Sequence, residues 1–360
     1  MKGVKSFFII ASVVATALAA PGSWRNKCKN PRVRKEWRSE SLGYNGRKAF
    51  VDAIKCLSSL PHDPGLKPTG ATPGLPPIRA DSSRYDDFVY THMDATDSAH
   101  YTGIFFGWHR LFLNTLENML RKECHYTESL PFWDWTSKDY HDIEHSYIFN
   151  ADPEVGFGAF PGPETNYTVT TGAFRNLIRA YPYTHHVQRN YSLTPWEEPR
   201  PPFTFRKPHL QANTTLTPKE WKRLVTGFTG NYSAFQYMVD GVRWQGMHSA
   251  AHLIIGGLGG DASNLSYSPN VLSTDVIFFL LHCQLDRLWA AWQAHSPHNR
   301  HAIGGGLTQD ITNYDIYPTG RGTPVTLDTV VPLSNLGPDT KIKELMDTEG
   351  GVLCYKYEYY

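Results

Sequence analysis

The sequence predicts a mainly helical protein with long irregular loops, and three observations lead to that fold class. Several segments space their apolar residues as one face of a helix does. Two stretches, 61–80 and 150–216, are rich in proline and glycine, which is typical of loops. The chain has 360 residues, 13% of them aromatic, which is enough for a large packed core.

The first elements of the chain are predicted helices on either side of the 61–80 loop. Residues 47–60 carry apolar positions at helical spacing, and a mostly helical stretch runs through His92 and His100. The helix that contains His109 has the clearest pattern, so its imidazole is predicted to point inward with the apolar face. Its apolar face consists of His109, Leu113, Leu116 and Leu120. Its polar face consists of Arg110, Asn114, Glu117 and Arg121.

Three more helices are predicted after the second loop. One begins at Thr217 as N-cap, with Pro218 in the first turn and Glu220 three residues after the cap. A second covers 247–255, and a third covers approximately 273–295. The rest of the chain is predicted to be irregular, with short strands.

The charge balance argues against partners that are recognised through charge. The formal net charge is +1 at pH 7. A protein that binds nucleic acid or an anionic membrane surface electrostatically needs a clear excess of basic residues. We therefore expect neither nucleic acid nor a membrane as a partner.

The amino terminus has the features of a secretory signal peptide. Lys2 and Lys5 precede an apolar run at 7–18, and small residues follow it. The run is too short to span a bilayer, which takes about 20 apolar residues. The sequence therefore predicts that residues 1–20 are removed and that the secreted chain begins near Pro21.

The cysteines fit a secreted protein. One of the five, Cys283, lies in an apolar helical segment and is predicted to be a buried free thiol. The other four allow three disulfide connectivities, of which we expect Cys28 with Cys354 and Cys56 with Cys124. Five N-x-S/T triplets offer sites for N-glycosylation: Asn166, Asn190, Asn213, Asn231 and Asn264.

Six histidines fall into two groups of three and carry the strongest indication of function. Three neutral imidazoles can hold a transition metal with one coordination position left open for a substrate. Imidazole suits copper, zinc, iron and nickel, and the order of divalent affinities favours copper. Two such groups in one chain predict a paired-metal centre. The groups are His92, His100 and His109, and His248, His252 and His282.

Two zinc-protease patterns compete with this interpretation. His248 and His252 lie one helical turn apart, but a protease of that pattern has glutamate directly after the first histidine, where this chain has Ser249. The segment from His141 to His145 matches an inverted protease pattern, yet no long amphipathic helix surrounds it. One histidine alone would be interpreted as a core residue, whereas six together favour a metal centre.

An acidic residue is placed to orient one of these histidines. Asp286 follows His282 by four residues, so both side chains share a helix face. A carboxylate beside a ligating imidazole fixes the tautomer and the angle of its ring. The spacing therefore predicts that Asp286 is a hydrogen-bond partner of His282.

Several motifs occur together around these residues. His100 lies nine residues before the histidine of FGWHR, the second group leads into IGG, and the third segment reads DVIFFLLHCQLDRLW. PFWDW at 131–135, the closing Tyr355-Lys356-Tyr357 and the amino-terminal CKNPRVRKEWRS and AIKCLSSLP complete the set. With these motifs, nearly the whole mature chain resembles the type-3 copper proteins, which are the tyrosinases, catechol oxidases and hemocyanins. It is most similar to the short secreted forms of filamentous fungi.

The resemblance implies a four-helix bundle that holds two copper ions in its core. It also implies that dioxygen oxidises a small phenolic substrate, with o-diphenols converted to o-quinones and monophenols or o-aminophenols as further candidates. Residues 21–360 would form one tyrosinase-like catalytic domain, with no lid domain after it. The implied ligands are His92, His100 and His109 for one copper, and His248, His252 and His282 for the other.

Three departures from the family's pattern concern the surroundings of the ligands. Ser98 stands where many fungal relatives have a cysteine that forms a thioether to a histidine, so that crosslink is not possible here. Leu281 stands where a histidine commonly precedes the last ligand, and Val276 stands where proline is usual.

A fourth departure concerns the base that deprotonates monophenols. Many tyrosinases have asparagine just after the first ligand of the second copper, and a nearby glutamate that holds a water. This chain has Ser249 after that ligand and Gln245 before it, neither of which is a carboxylate base. Asp240 is the candidate that could substitute. The sequence therefore favours oxidation of diphenols or aminophenols over full tyrosinase activity.

Three functions stay open. The favoured one is a secreted copper oxidase of o-diphenols. The second is an enzyme of the same scaffold that tailors one secondary metabolite, with altered chemistry or with a metal such as zinc. The third and least favoured is an oxygen-binding protein without turnover.

Overall fold

Helices dominate the regular structure, which confirms the predicted fold class. The computed structural model describes residues 28–194, 211–241, 246–256 and 274–360. Its helices are α1 (Gly43–Leu57), α2 (Arg84–Asp94), α3 (Thr96–Ala99), α4 (Phe105–Cys124), α5 (Pro218–Thr226), α6 (Tyr232–Asp240), α7 (Met247–Gly256) and α8 (Ile277–His295). Its short strands are β1 (Arg32–Arg34), β2 (Ile178–Arg179), β3 (His185–His186), β4 (Gly306–Thr308), β5 (Arg321–Pro324), β6 (Val330–Val331), β7 (Thr340–Lys341) and β8 (Tyr355–Tyr357).

The strands form two-stranded sheets around the helices. β2 pairs with β3, β4 with β5 and β6 with β7, all antiparallel. β1 pairs with β8 in parallel, with Val33 opposite Lys356. A parallel pair requires a long connection. Here the connection contains all eight helices, so this sheet joins the two ends of the described chain.

Local sequence signals set the starts of two helices. The Ser83 hydroxyl accepts the backbone N–H of Asp86, and the Asp86 carboxylate accepts the backbone N–H of Ser83, which forms a capping box at the start of α2. Thr217 caps α5 in the predicted way, because its hydroxyl accepts the N–H of Glu220 at 3.2 Å.

Helix α4 differs from its predicted division into an apolar and a polar face. The predicted apolar residues are buried, but three of the four predicted polar ones, Arg110, Asn114 and Glu117, are also at most 4% exposed. Glu117 accepts hydrogen bonds from Arg32 at 2.6 Å and from Arg34 at 3.1 Å. Burial on this face is possible because other elements supply partners for the polar groups: β1 for Glu117, Asp286 of α8 for Arg110 and the carbonyl of Val352 for Asn114.

The disulfides pair as expected. Cys28 bonds Cys354 and ties the start of the described chain to the segment before β8. Cys56 bonds Cys124 and links the ends of α1 and α4. Cys283 is the free cysteine of the described residues and is buried, which confirms its predicted state, and burial raises the pKa of its thiol to about 12.

The two proline- and glycine-rich stretches have little regular structure. Residues 61–80 contain neither helix nor strand. The described part of 150–216 has only β2, β3 and single turns of 3₁₀-helix, yet its Phe157, Phe174 and Tyr181 are buried in the main core rather than spread over the surface. Residues 1–20, Gln245 and Asn264 lie outside the described residues. Across the described ranges, every helix is too short or too polar to cross a bilayer.

Candidate metal centre

Four helices and the residue after a fifth bring the six histidines to one place in the core. α2 carries His92, α4 carries His109 and α8 carries His282. α7 carries both His248 and His252, one turn apart. His100 directly follows the short helix α3. Each of the six histidines is at most 4% exposed.

The histidines form two triads. Within each triad, one nitrogen of every ring lies within 4.8 Å of the others. The ring centroids are 5.0–5.7 Å apart in the first triad and 4.6–5.2 Å apart in the second. This spacing lets three nitrogens converge on one ion, which was the prediction for His92, His100 and His109 and for His248, His252 and His282.

The two triads face each other. The rings of His109 and His282 stack with centroids 4.2 Å apart and planes 5° from parallel. The rings of His100 and His248 also stack, at 5.8 Å and 12°. Each stack joins one triad to the other, so the two groups form a single paired centre.

Backbone carbonyls hold several of the rings in place. An Nδ1–H that donates to a carbonyl fixes the tautomer and leaves the Nε2 lone pair for a metal. The Nε2 atoms of His109 and His248 are buried and have no hydrogen-bond partner in the structure, which is costly unless an ion satisfies them. The carbonyl contacts of Nδ1 are His100 with Thr96 at 3.1 Å, His109 with Phe105 at 2.8 Å and His248 with Asp240 at 3.1 Å.

Electrostatics keep four of the six rings neutral, which is the form that ligates a metal. Burial, followed by repulsion from neighbouring imidazoles, holds the pKa values of His92, His109 and His282 well below the usual 6.5. The same two causes lower the pKa of His100 to about 4. Both donor sets consist of imidazoles alone, and they therefore fit copper ions well.

Aromatic side chains surround the centre and keep it apolar. The Phe278 ring lies between the triads, with its centroid 4.7 Å from that of His92 and 4.3 Å from that of His282. Phe105 packs against His248 at 4.8 Å, and Trp108 against His92 at 5.7 Å. These rings limit the access of water to the imidazoles.

The predicted bond between Asp286 and His282 is wrong. His282 Nδ1 has no hydrogen-bond partner in the structure. The Asp286 carboxylate is occupied by charged and phenolic donors from β1, α4 and β8. These donors are Arg110 Nε at 2.5 Å, Arg34 Nη1 at 3.3 Å, Tyr355 OH at 2.5 Å and Tyr357 OH at 2.6 Å. Asp286 therefore connects α8 to its neighbours and does not orient a ligand.

Two of the residues considered for monophenol deprotonation, Asp240 and Ser249, lie behind His248. Asp240 Oδ2 accepts hydrogen bonds from the Tyr101 N–H at 2.6 Å and from Gln236 Nε2 at 2.7 Å. Asp240 Oδ1 lies 3.1 Å from His248 Nδ1, which is the side of the ring opposite Nε2. The Ser249 hydroxyl donates to the Asp240 carbonyl at 2.8 Å.

Sequence reasoning missed one feature of this region. Asp240 contacts Tyr101, 139 residues earlier in the chain, and no local pattern indicates such a pairing. A sign of it exists in the backbone, because Tyr101 has a φ of 53°, a conformation that side-chain-bearing residues seldom adopt. The sequence alone does not reveal that angle.

The inverted protease pattern forms no comparable cluster. His145 is exposed and its Nδ1 contacts Asp142 at 2.8 Å. In the ranges that the structure describes, the two histidine triads are the groups of three or more candidate ligands that converge. The zinc-protease alternative therefore has no support in the geometry.

Fold and site together define a mainly helical protein with a paired three-histidine metal centre. Residues 82–295 match the family described as the common central domain of tyrosinase. The chain belongs to the tyrosinase family, whose cofactors are two copper ions, and the two triads fit that pair.

Relatives of similar length are fungal. The tyrosinase-like protein phomQ1 of Diaporthe leptostromiformis is 31% identical, with 92% of this chain and 79% of that protein covered. The N-acetyl-6-hydroxytryptophan oxidase ivoB of Emericella nidulans is 28% identical, with 97% and 100% covered. A solved structure of a polyphenol oxidase from Thermothelomyces thermophila is similar at a TM-score of 0.64 and 28% identity, with 92% of this chain and 89% of that chain covered.

Proposed function

We propose that this tyrosinase-family oxidase converts o-diphenols to o-quinones with dioxygen. The observation that carries the proposal is the pair of facing triads, joined by the stacked rings of His109 and His282. Two ions held so close together can serve one substrate and one dioxygen in the same reaction. Isolated sites would each need a separate electron acceptor.

The overall reaction balances without a further reductant. Each o-diphenol loses two electrons and two protons when it becomes an o-quinone. Two diphenols therefore supply the four electrons and four protons that reduce one dioxygen to two waters. Bound copper ions supply the redox chemistry that moves these electrons from the phenol to dioxygen.

The protein's own residues hold and shield this chemistry. The carbonyls of Thr96 and Phe105 fix the rings of His100 and His109, so the ligand nitrogens keep their directions. The Phe278 ring contacts histidines of both triads and offers an aromatic surface on which a planar phenol can pack.

The positions of Asp240 and Ser249 favour diphenols over monophenols. A monophenol must lose its proton before it can be hydroxylated, and a base within about 3 Å of that proton speeds this step. The Asp240 carboxylate lies on the Nδ1 side of His248 and accepts bonds from two other donors. The Ser249 hydroxyl is engaged by a backbone carbonyl. Neither is placed as a base for a substrate at the metal side of the ring.

Oxygen uptake by the copper-loaded full chain tests this proposal. We expect uptake with 4-methylcatechol and little uptake with 4-methylphenol, which differs by one hydroxyl. Equal rates with both would contradict the argument on the missing base. No uptake with either, from a protein that carries two coppers, would contradict diphenol oxidation itself.

A second candidate is the oxidation of one hydroxylated aromatic metabolite. It is favoured by the relative named N-acetyl-6-hydroxytryptophan oxidase, which matches this chain over 97% of its length. N-acetyl-6-hydroxytryptophan is a direct probe of this alternative. Uptake with that compound and none with 4-methylcatechol would replace the first candidate by the second.

We also propose that the protein works outside the cytosol as a secreted, N-glycosylated chain. Two disulfides support an oxidising compartment. The expected product is a mature domain of residues 21–360 after removal of residues 1–20. Mass spectrometry of the protein from culture medium tests both points, because an amino terminus at Met1, or protein found only inside cells, would contradict secretion.

A further inference from the structure

We propose that Asp240 is a positioning residue that ties the two copper sites together through one buried carboxylate. Its two carboxylate oxygens face different histidine triads. Oδ2 accepts the backbone N–H of Tyr101, the residue directly after His100 of the first triad. Oδ1 lies 3.1 Å from Nδ1 of His248, a member of the second triad.

The contact with Tyr101 fixes the turn that presents His100. Tyr101 has a φ of 53°, a left-handed backbone conformation that a bulky residue adopts only when its surroundings hold it there. The N–H to Oδ2 distance of 2.6 Å, to a carboxylate, makes this a strong charge-assisted bond. On the other side of the turn, Gln309 Nε2 donates to the carbonyl of His100 at 3.0 Å. The backbone of His100 is thus held from both sides.

The contact with His248 fixes the ring of the second triad. Asp240 ends α6 and His248 lies in the first turn of α7, so the two elements meet at this pair. Besides the carboxylate, the backbone carbonyl of Asp240 lies 3.1 Å from the same Nδ1. The carbonyl accepts the Nδ1–H, and the negative charge of the carboxylate beside it favours keeping the proton on that nitrogen, which leaves Nε2 to face an ion.

Burial makes the arrangement rigid. Asp240 is 1% exposed, so its carboxylate depends on protein donors rather than on water. Gln236, one turn earlier on α6, donates to the same Oδ2 at 2.7 Å. A shift of the carboxylate toward His248 would break its bond to the Tyr101 N–H, and a shift toward Tyr101 would move its charge away from His248 Nδ1. The position of His100 and the orientation of His248 are therefore set by the same group.

Copper retention tests the proposal without reference to activity. The copper-loaded full chain is dialysed against a chelator at graded free copper concentrations, and the two bound equivalents are followed separately. In Asp240→Ala both carboxylate contacts are lost, although the backbone carbonyl still accepts from His248 Nδ1. We expect both equivalents to be held about 10- to 100-fold more weakly, as when a residue that supports a ligand is removed. Unchanged retention of either equivalent in Asp240→Ala would overturn the proposal.

Asp240→Asn separates the contact with Tyr101 from the contact with His248, and it tests the proposal even if the alanine variant fails to fold. The amide oxygen must face the two donors, the Tyr101 N–H and Gln236 Nε2, and the amide nitrogen then faces the Nδ1–H of His248. The first triad keeps its support, while His248 keeps the backbone carbonyl of residue 240 but loses the charged carboxylate beside its Nδ1. We expect one copper equivalent to weaken about tenfold and the other to stay as in the wild type. Loss of neither, or of both equally, would overturn the proposal.

Asp134 provides the matched control. It is buried to a similar degree, and its carboxylate pairs with Arg287 at 3.1 Å and accepts from Gln284 at 2.9 Å. Asp134→Ala therefore removes a buried carboxylate whose partners are Thr136, Gln284, Arg287 and Tyr359 rather than a histidine of either triad. We expect it to lower the Tm while both copper equivalents are retained as in the wild type. Weakening of both to the same extent as in Asp240→Ala would show a general loss of stability and would overturn the positioning role.

Discussion

The rings of His109 and His282 stack 4.2 Å apart although they belong to different triads and different helices. One turn beyond His282, Asp286 accepts a hydrogen bond from Arg110, the residue directly after His109, at 2.5 Å. The same two helices are thus joined both at the metal centre and immediately beside it. This proximity of the triads is what makes a reaction that needs two ions chemically reasonable.

Removing one ligand from either triad should abolish oxidation. In His109→Ala or His252→Ala, one ion loses a third of its protein nitrogens, and we expect copper content to fall from two equivalents to one. Oxygen uptake with an o-diphenol should disappear while circular dichroism stays close to the wild type. His145→Ala is the matched control, since this exposed histidine contacts Asp142 and should be dispensable. Full activity in either ligand variant would contradict the dinuclear centre.

Introducing the asparagine and the glutamate that many tyrosinases have should raise monophenol turnover. We expect Ser249→Asn combined with Gln245→Glu to increase the ratio of monophenol to diphenol rates, since the sequence would then carry the asparagine and the glutamate that many tyrosinases have around this ligand. A well-placed general base contributes about 10²- to 10⁴-fold, which sets the upper range of the gain. Oxygen uptake with 4-methylphenol and 4-methylcatechol measures the ratio. An unchanged ratio would contradict the interpretation of these two positions, and Ser249→Ala serves as the control that adds no polar group.

The Asp286 cluster should contribute strongly to stability. Asp286→Ala leaves Arg110 buried without its carboxylate and leaves Arg34 with Glu117 alone, and breaking a buried ion pair costs about 3–5 kcal/mol. Tyr355→Phe removes a single donor and should cost about 1–2 kcal/mol. Urea unfolding of the copper-loaded chain compares the two variants. Equal losses of unfolding free energy would contradict the central place of the carboxylate.

Glu36 should make the protein less stable as the pH rises toward neutrality. Burial raises the pKa of its carboxyl from 4.5 to about 7. Between these values the folded state keeps a proton that the unfolded state has lost. The free energy of unfolding therefore falls with rising pH, by up to about 1.4 kcal/mol per pH unit from this group.

Replacing Glu36 with glutamine removes this pH dependence. We expect Glu36→Gln to match the wild type near pH 4.5 and to have the higher Tm at pH 8, because glutamine fills the same space without a charge. Glu40→Gln, at an exposed glutamate four residues after Glu36, should change neither value. A lower Tm for Glu36→Gln at pH 8 would show that the charged form is stabilising and that the assigned direction is wrong.

Much of the centre could be predicted from the sequence because its chemistry is local. Helical spacing alone places His248 and His252 on one face, and the periodicity after His109 turns that ring inward. The N-cap at Thr217 likewise depends on residues within one turn. The family resemblance supplied what spacing could not, namely a four-helix bundle around two copper ions and the use of dioxygen.

The partners of buried charges could not be predicted in this way. The pattern of α4 assigned Arg110 and Glu117 to a polar face, and spacing paired Asp286 with His282. In the structure Arg110 binds Asp286, 176 residues away, and Glu117 binds Arg34, 83 residues away. Sequence periodicity reports which side chains share a face of one helix, but not what another element brings to that face.

By itself, then, the sequence determined the helical class, the six imidazoles, the family and the free thiol. These follow from residue type and from spacings of a few positions, which fix geometry within one helix. Only the tertiary structure decided that the triads face each other, that Asp240 reaches the turn after His100, and that Asp286 joins α8 to α4 and β8. These depend on how separate elements pack, and that packing is set by the whole core together.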